Sequence, residues 1–256
     1  TATALSPFSP DASVAIVGEA VGAVVLKRLG DAMRDGDDVR AVIRGIGVTA
    51  QGGRRVPSAP DAAAVARAMR LAYAEAGYPG SSVGLLDRRG AALADWDHAE
   101  LAATREVMLG ERDQPLRVAC SKAVYGNTPG ANGIVGLLQL VASFRRDEPL
   151  PAALAKADLP GMQVGGTWPS AAVAAAPRRG AITSLGLAGT HAHCTLEAFD
   201  ADHHGAMAAA AVAPAAAPVA IAVVSVGCVL PGAADADQLA DNLAARRSAL
   251  VDIPAE

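Results

Sequence analysis

The sequence predicts an α/β fold in which helices and strands pack in layers, and three observations lead to that prediction. Short apolar runs alternate with helical patterns through the middle of the 256-residue chain. Hydrophobic residues make up 52% of the sequence but aromatic residues only 3%, so the core must consist mainly of Val, Leu, Ile and Ala. One central stretch, 118–144, combines a short strand, a glycine-bearing turn and an apolar helix.

The elements before residue 60 are predicted from glycine spacing and alternation. Val14–Leu29 is a glycine-punctuated run that favours strand structure, and Leu29–Arg34 fits a short helical turn that the sequence around Gly36 stops. Val39, Ala41 and Ile43 alternate with more polar positions, which predicts a strand with one wetter face.

Two helices and a strand follow before residue 110. Asp61 caps a helix that runs to about Ala76 and that Gly77 closes. Val83–Leu86 is a short strand. The sequence 97–100 has the form of a capping box, with Asp97 first and Glu100 fourth, and predicts a helix over Leu101–Leu109.

The central stretch is where we expect any chemistry. The strand Leu116–Ala119 leads into a turn that presents Lys122 and Asn127 beside the helix Ile134–Phe144. This helix is apolar almost all round, which predicts a place in the middle of a layered domain. Backbone N–H groups at such a helix N-terminus can hold an anion or an oxyanion.

The last third of the chain contains a hairpin, a linker and the start of another unit. Gly180–Glu197 has the pattern of a β-hairpin with its turn at 186–189. Residues 201–218 are rich in Ala and Pro and are interpreted as a flexible linker. A strand is expected over Pro218–Leu230, and a helix over Asp235–Arg247.

Composition excludes several classes of function. The formal net charge is −4 and no long basic run occurs, which argues against nucleic-acid binding. Three cysteines without framework spacing and no signal-like segment at 1–13 indicate a reducing, cytoplasmic location. The uncharged stretch Gly205–Ala234 could suggest a membrane span, but its three prolines and alanine tract argue against one.

Three further patterns could indicate binding or catalytic sites. A zinc site would use the ligand-type residues His191, His193, Cys194, His203 and His204. On a strand, however, Cys194 should point away from His191 and His193, and His203 and His204 lie in the linker. No metal site is therefore predicted. Gly45-Ile46-Gly47 lacks the third glycine and the helix of a dinucleotide loop. Cys120 lies on a buried strand, where inert packing is expected.

Three segments together resemble the β-ketoacyl synthase family, the condensing domain of polyketide and fatty-acid synthases, which has the thiolase fold. Gly18–Leu29 is similar to the family pattern G-E-G-A-G-x-V-V-L-K-R-L. Residues 121–133 resemble V-K-S-N-I-G-H-T-E-A-A-A-G, and 178–197 resemble R-R-A-G-V-S-S-F-G-x-G-G-T-N-A-H-V-x-L-E. The similarity runs from about Pro7 to Glu197 and covers the second half of such a domain; the first half, which carries the nucleophilic cysteine, has no counterpart here.

The resemblance implies the domain organisation. Residues 1–200 are expected to form the C-terminal half of a ketosynthase-like domain with a layered, thiolase-like α-β-α fold. Residues 219–256 resemble the start of a following ketosynthase-like domain, because Ala222–Ala233 is similar to I-A-V-V-G-M-G-C-x-x-P-G-A. The chain would then span a junction in a multifunctional polyketide or polyunsaturated-fatty-acid synthase.

The departures from the family pattern concern its two histidines. Arg89 stands where the family has the histidine of H-G-T-G-T, and Asn127 where it has that of G-H-T; Lys122 is retained. Arginine is permanently charged and asparagine does not titrate, so a working condensing site is not expected. Lys122 is expected to pair with Asp97 or Glu100, although a buried lysine could also bind the phosphate of a carrier arm.

A domain that keeps this scaffold but lacks both histidines resembles a chain-length factor. The resemblance implies that it pairs with an active ketosynthase as a pseudo-dimer and shapes the tunnel that receives the acyl chain. Substrates would arrive on the phosphopantetheine of an acyl carrier protein, and the domain itself needs no cofactor. It would belong to an acyltransferase system without catalysing condensation alone. The alternative is a purely architectural scaffold between domains.

Overall fold

The computed structural model of the protein describes residues 17–52, 60–88, 90–91, 93–112, 114–146, 160–164, 168, 177–210 and 232–247. The chain divides into two compact units, Thr1–Val212 and Ala213–Glu256. In its described part, the larger unit contains six strands: β1 (Ala41–Ala50), β2 (Leu85–Asp87), β3 (Leu116–Ala119), β4 (Met162–Val164), β5 (Arg179–Leu185) and β6 (Thr190–Ala198). Its α-helices are α1 (Leu29–Arg34), α2 (Ala62–Ala76), α3 (Ala94–Met108), α4 (Lys122–Tyr125), α5 (Asn132–Phe144) and α6 (Ala201–Ala210).

The six strands form one mixed sheet in the order β1-β6-β5-β2-β3-β4. Strands β5, β2, β3 and β4 are parallel, whereas β6 runs antiparallel to both of its neighbours, β1 and β5. Strands β5 and β6 form the predicted hairpin, in which Gly189 has a φ of 82° and the N–H of Gly186 donates to the carbonyl of Thr190 at 2.7 Å. This alternation of parallel strands and helices confirms the predicted α/β class.

One face of the sheet, here called the closed face, packs on helices α2 and α3. It carries Leu86, Leu116, Val118 and Leu185. Helix α2 fits the prediction closely, because Asp61 accepts a hydrogen bond from the N–H of Ala63 and Gly77 ends the helix with a φ of 76°. The core on this face is continuous, and Met69 at its centre is fully buried.

The opposite face, here called the open face, packs on helix α5. It carries Leu85, Ala119, Ile182 and Leu196, which meet Leu140 and Phe144 of the helix. Phe144 in turn stacks on Trp168 with 5.6 Å between ring centroids. Beside this cluster lies an apolar groove of about 650 Å³, whose lining includes Val25, Leu26, Leu138 and Val141.

Helix α5 differs from the prediction that it is buried all round. It begins at Asn132, two residues before the expected start, and Leu138 is 42% exposed. Gly136, Leu140, Ser143 and Phe144 are its buried residues. An apolar helix is buried only on the sides that other elements reach, and within the described chain the sheet reaches one side of α5.

The strand predicted over Val14–Leu29 is wrong for its described part. Val17 forms an isolated parallel bridge with Asn127, and residues 18–28 have no regular structure before α1 begins. A strand needs a neighbour that accepts and donates its backbone hydrogen bonds. Val21 and Val25 are almost completely exposed, so this segment presents apolar side chains to solvent in the chain as described.

The pair Gly45 and Gly47 lies within strand β1 and not in a loop after it. A Cβ atom at Gly45 would come within 2.0 Å of the carbonyl oxygen of Ala72, and one at Gly47 within 1.9 Å of that of Ala68. The glycines therefore allow the backbone of helix α2 to approach the strand closely. The register of β1 against β6 shifts between Ile43 and Gly45. After this shift, Gly45 and Gly47 lie on the closed face.

Residues after 200 depart in part from the linker interpretation. Ala201–Ala210 forms helix α6, because Asp200 accepts a hydrogen bond from the N–H of His203 at 2.8 Å and alanine favours helix. Residues 211–218, the predicted strand up to Leu230 and the segment 248–256 lie outside the described residues. In the smaller unit, the predicted helix is present as α7 (Ala236–Ala244), with Asp235 as its cap.

None of the helices in the described ranges is both long enough and apolar enough to cross a lipid bilayer.

Candidate functional site

The candidate site lies where the parallel strands β2 and β3 end. In parallel sheets, binding sites form beyond the carboxyl ends of the strands, where the loops converge. Asp87 ends β2 and Ser121 follows β3 by two residues. The N–H of Ser121 donates to Oδ1 of Asp87 at 3.0 Å, and its hydroxyl donates to Oδ2 at 3.2 Å, so the two strand ends are joined.

Asp87 is a buried carboxyl group covered by helix α5. A Cβ atom at Gly136 would lie 2.3 Å from its Oδ2, so only a glycine lets the helix pass this close. Burial raises the pKa of Asp87 to about 6. The hydrogen bonds from Ser121 and the positive charges of Lys122 and Arg88 lower this pKa, but burial has the larger effect. Sequence reasoning missed this residue; a carboxylate directly after a buried strand was the available signal.

The backbone at 90–91 is fixed by two buried carboxylates of helix α3. The N–H of Gly90 donates to Oε2 of Glu100 at 3.1 Å, and the N–H of Ala91 donates to Oδ1 of Asp97 at 2.8 Å. The capping-box prediction is therefore wrong: α3 begins at Ala94, with Leu93 at its N-cap, and both carboxylates bind the preceding loop. Arg89 itself lies outside the described residues.

Arg88 and Lys122 are buried cations near this loop. Arg88 is almost fully buried, which lowers its pKa, while the charge of Glu100 raises it. Lys122 is the first residue of α4, is buried, and acts electrostatically on Asp87. Its expected pairing with Asp97 or Glu100 stays a prediction.

Asn127 lies in the turn between α4 and α5, after Gly126 with its φ of 77°. Its side-chain Oδ1 accepts a hydrogen bond from Nδ2 of Asn132 at 2.9 Å. Oδ1 of Asn132 accepts from the N–H and the hydroxyl of Thr128, both at 2.9 Å, so the turn is tied to the first turn of α5. The amide of Asn127 can donate a hydrogen bond, but it cannot take up or release a proton near neutral pH.

The five ligand-type residues of the possible zinc site do not come together as one group. His193 is hydrogen-bonded at both ring nitrogens, to Thr183 at 3.0 Å and Tyr73 at 2.9 Å, and burial lowers its pKa to about 3. His191 lies on the same face and reaches Gln51 at 3.1 Å. Cys194 packs on the opposite face, as its position in the strand predicted. Cys120 is buried, and its Sγ lies 3.9 Å from the carbonyl of Gly90.

Comparison with known proteins places this arrangement in a family. Residues 40–154 match the model of the β-ketoacyl synthase C-terminal domain. The chain is 34% identical over 210 residues to the highly reducing polyketide synthase apmlA of Arthrinium phaeospermum, a match that covers 75% of this chain and 8% of that protein. It is also 34% identical over 193 residues to the phenolphthiocerol synthesis polyketide synthase Pks15/1 of Mycobacterium marinum, covering 70% of this chain and 9% of that one.

The solved structures show the same relationship. A ketosynthase from module 1 of the bacillaene synthase of Bacillus amyloliquefaciens aligns with a TM-score of 0.68 and 26% identity, over 77% of this chain and 36% of that chain. The chain spans about a tenth of the length of the curated relatives that it matches. The sheet order, the strand-end site and these matches agree: the chain contains the C-terminal region of a β-ketoacyl synthase, built on the thiolase-like α/β fold.

Proposed function

We propose that this chain is part of a polyketide synthase and that its ketosynthase-like domain does not itself catalyse condensation. The similar polyketide synthases support the first part. The second part rests on Asn127, which stands at the position of a family histidine and is hydrogen-bonded to Asn132. Arg89 stands at the other histidine position in the sequence.

The physical reason concerns the charge that develops during condensation. In the resembled family, two neutral imidazoles donate hydrogen bonds to the extender thioester as its decarboxylation forms an enolate. An asparagine amide offers a weaker neutral donor without proton exchange, and an arginine is charged throughout. The buried Asp97 and Glu100 hold the 90–91 backbone beside the site without supplying that proton chemistry.

The finer proposal is that the domain acts like a chain-length factor. Its open face and the apolar groove beside α5 offer replaceable side chains, among them Leu138 and Val141, that could bound an acyl tunnel. We propose that the remaining part of a ketosynthase domain packs on this face and that an active ketosynthase is the partner. An acyl carrier protein would deliver substrates on phosphopantetheine. The alternative, a scaffold without influence on the product, predicts that these side chains can change without consequence.

The first test asks whether Asn127, which occupies the position of a family histidine, takes part in catalysis. In the intact synthase polypeptide, Asn127→Ala is expected to leave the rate of product formation unchanged within about twofold, because no proton transfer depends on it. Asn132→Ala is the matched control, since it breaks the same hydrogen bond from the other side. If Asn127→Ala lowers the rate by about a hundredfold while Asn132→Ala does not, Asn127 takes part in catalysis and the proposal is wrong.

Restoring the family residues provides the converse test. Arg89→His and Asn127→His, made singly and together, are expected to add no condensing activity. At position 127 an imidazole would have to take up its orientation without the hydrogen bond from Asn132 that fixes the amide of Asn127. Product formed by the double variant while the partner ketosynthase is inactivated would contradict this expectation.

A further inference from the structure

A second cluster of ligand-type side chains lies on the other side of the larger unit, at the end of strand β6. It consists of Glu197 from the strand and of His203 and His204 from the first turns of α6. One ring nitrogen of each histidine and a carboxylate oxygen of Glu197 all lie within 4.8 Å of one another. None of these residues belongs to the strand-end site around Asp87.

The distances from Glu197 to the two histidines are close to those between ligands of a small tetrahedral metal ion. Nε2 of His204 lies 3.3 Å from Oε2 of Glu197, and Nε2 of His203 lies 3.6 Å from the same oxygen. Two ligands at about 2.0–2.1 Å from a tetrahedral Zn²⁺ are about 3.3 Å apart. Both Nε2 atoms are buried and make no hydrogen bond, and the whole His204 side chain is 0% exposed. Apart from the nearby carboxylate of Glu197, neither ring nitrogen has a polar contact among the described residues, and an ion bound between the three groups would satisfy all of them.

The surroundings hold the ligands in the orientation that a metal ion requires. Nδ1 of His204 lies 2.8 Å from the carbonyl oxygen of Asp200 and 3.0 Å from its N–H, and these contacts orient the ring so that Nε2 faces Glu197. A metal ion at Nε2 requires the tautomer in which Nδ1 donates to the carbonyl of Asp200. The ring of His204 stacks on Phe199 at 5.6 Å, and Asp200 caps the helix at His203. The histidine pair is therefore fixed in α6, whereas the sequence placed it in a flexible linker.

Glu197 is anchored by two arginines of the neighbouring strands. Nε of Arg179 donates to Oε1 at 2.9 Å, and Nη1 of Arg44 donates to Oε2. A carboxylate offers about four acceptor positions, so these two hydrogen bonds leave Oε2 a position for a metal ion. Their positive charges also weaken cation binding. The affinity for the ion should therefore be below that of a closed site with four protein ligands.

We propose that Glu197, His203 and His204 bind a Zn²⁺-class divalent ion that fastens helix α6 to strand β6. Two imidazoles and a carboxylate are a ligand set that zinc accepts, with water completing the tetrahedron. His191 and His193 take no part, because they contact other side chains: His191 reaches Gln51, which follows β1, and His193 reaches Tyr73 of α2 and Thr183 of β5. The role of the ion is structural: it links the helix to a strand at the centre of the β1-β6-β5 part of the sheet.

The test measures Zn²⁺ and Co²⁺ binding to the full chain after metal removal by a chelator. We expect one Zn²⁺ per chain in competition with a chromophoric indicator, and visible absorption typical of tetrahedral Co²⁺. The double variant His203→Gln/His204→Gln is expected to lose both signals. His98→Gln is the matched control, because His98 is exposed on α3 and lies outside the cluster.

A single substitution keeps the test valid if the buried His204 is needed for folding. His203 is partly exposed, so His203→Gln should leave the fold unchanged by circular dichroism and still weaken Zn²⁺ binding at least about tenfold. Zn²⁺ should raise the midpoint of thermal unfolding in the native chain and in His98→Gln, but much less in His203→Gln. Absence of stoichiometric binding, or equal binding by all variants, would overturn the proposal.

Discussion

The closed and open faces of the same sheet differ in how completely the described chain covers them. On the closed face, α2 and α3 enclose a continuous core that includes Met69 and Leu86. On the open face, α5 packs against a smaller cluster around Leu140, and Leu138 beside it stays 42% exposed. The difference shows that apolar composition alone does not determine burial; the helix must also have a partner on each of its sides.

The largest expected effect is a difference in stability loss when a side chain of similar size is truncated at the closed face and at the open face. Met69→Ala removes a fully buried side chain at the closed face and should lower the free energy of unfolding by about 2–5 kcal/mol. Leu138→Ala removes a side chain of similar size from α5 and should cost about 1 kcal/mol or less. Urea unfolding followed by circular dichroism measures both. Equal losses would mean that the two faces are equally covered.

The second prediction concerns Asp87, over which α5 fits tightly on the open face. Because burial raises the pKa of Asp87 to about 6, the folded chain holds a proton that the unfolded chain releases near pH 4. The stability contributed by this group is therefore complete below about pH 4 and falls as the pH rises to about 6, by up to about 3 kcal/mol.

Asp87→Asn removes that titration. The free energy of unfolding, measured in urea between pH 4 and pH 7, should decline less steeply with pH in the variant than in the native chain. Asparagine keeps an oxygen that can accept the N–H of Ser121, so the fold should survive. Parallel pH profiles for the two proteins would show that Asp87 is ionised throughout.

The third prediction tests how closely α2 approaches the closed face. Gly47→Ala would place a Cβ atom 1.9 Å from the carbonyl oxygen of Ala68, and it should destabilise the chain by about 1–3 kcal/mol. Gly133→Ala is the control, since nothing lies within 4 Å of its Cβ position in α5 and alanine favours helix. Thermal unfolding should show a lower midpoint only for Gly47→Ala; an unchanged midpoint there would place α2 farther from β1.

The smallest effect is expected at the start of α2. Asp61 accepts a hydrogen bond from the N–H of Ala63, so Asp61→Ala should cost about 1 kcal/mol. Asp61→Ser keeps an acceptor and should recover most of that loss in the same thermal measurement. No recovery would show that the carboxylate acts by its charge and not by its hydrogen bond.

The sequence predicted those elements whose signals are local. The cap at Asp61, the stop at Gly77 and the hairpin turn at Gly189 depend on neighbouring residues, and the structure confirms each of them. The strand at Val14–Leu29 and the burial of α5 depend on distant partners. Their prediction failed because periodicity describes a residue's preference and not the availability of a neighbour.

The candidate site shows the same division. The order of motifs led to Lys122 and Asn127, and the structure places both between β3 and α5. The sequence spacing of Asp97 and Glu100 could not predict their hydrogen bonds with the 90–91 backbone. Acidic residues at this spacing fit a capping box equally well. Glu197 was missed as a potential ligand because its histidine partners were assigned to a linker.

We propose that the open face shapes the product, and the product length of the intact synthase tests this most directly. Leu138→Phe and Leu138→Ala change the size of a side chain in the groove, whereas Leu71→Phe is a matched change on α2, where Leu71 is also exposed. We predict shorter products with Leu138→Phe, longer ones with Leu138→Ala, and no change with Leu71→Phe. Identical product lengths from all three variants, in an assembled synthase, would contradict the chain-length role and leave the scaffold as the account of this domain.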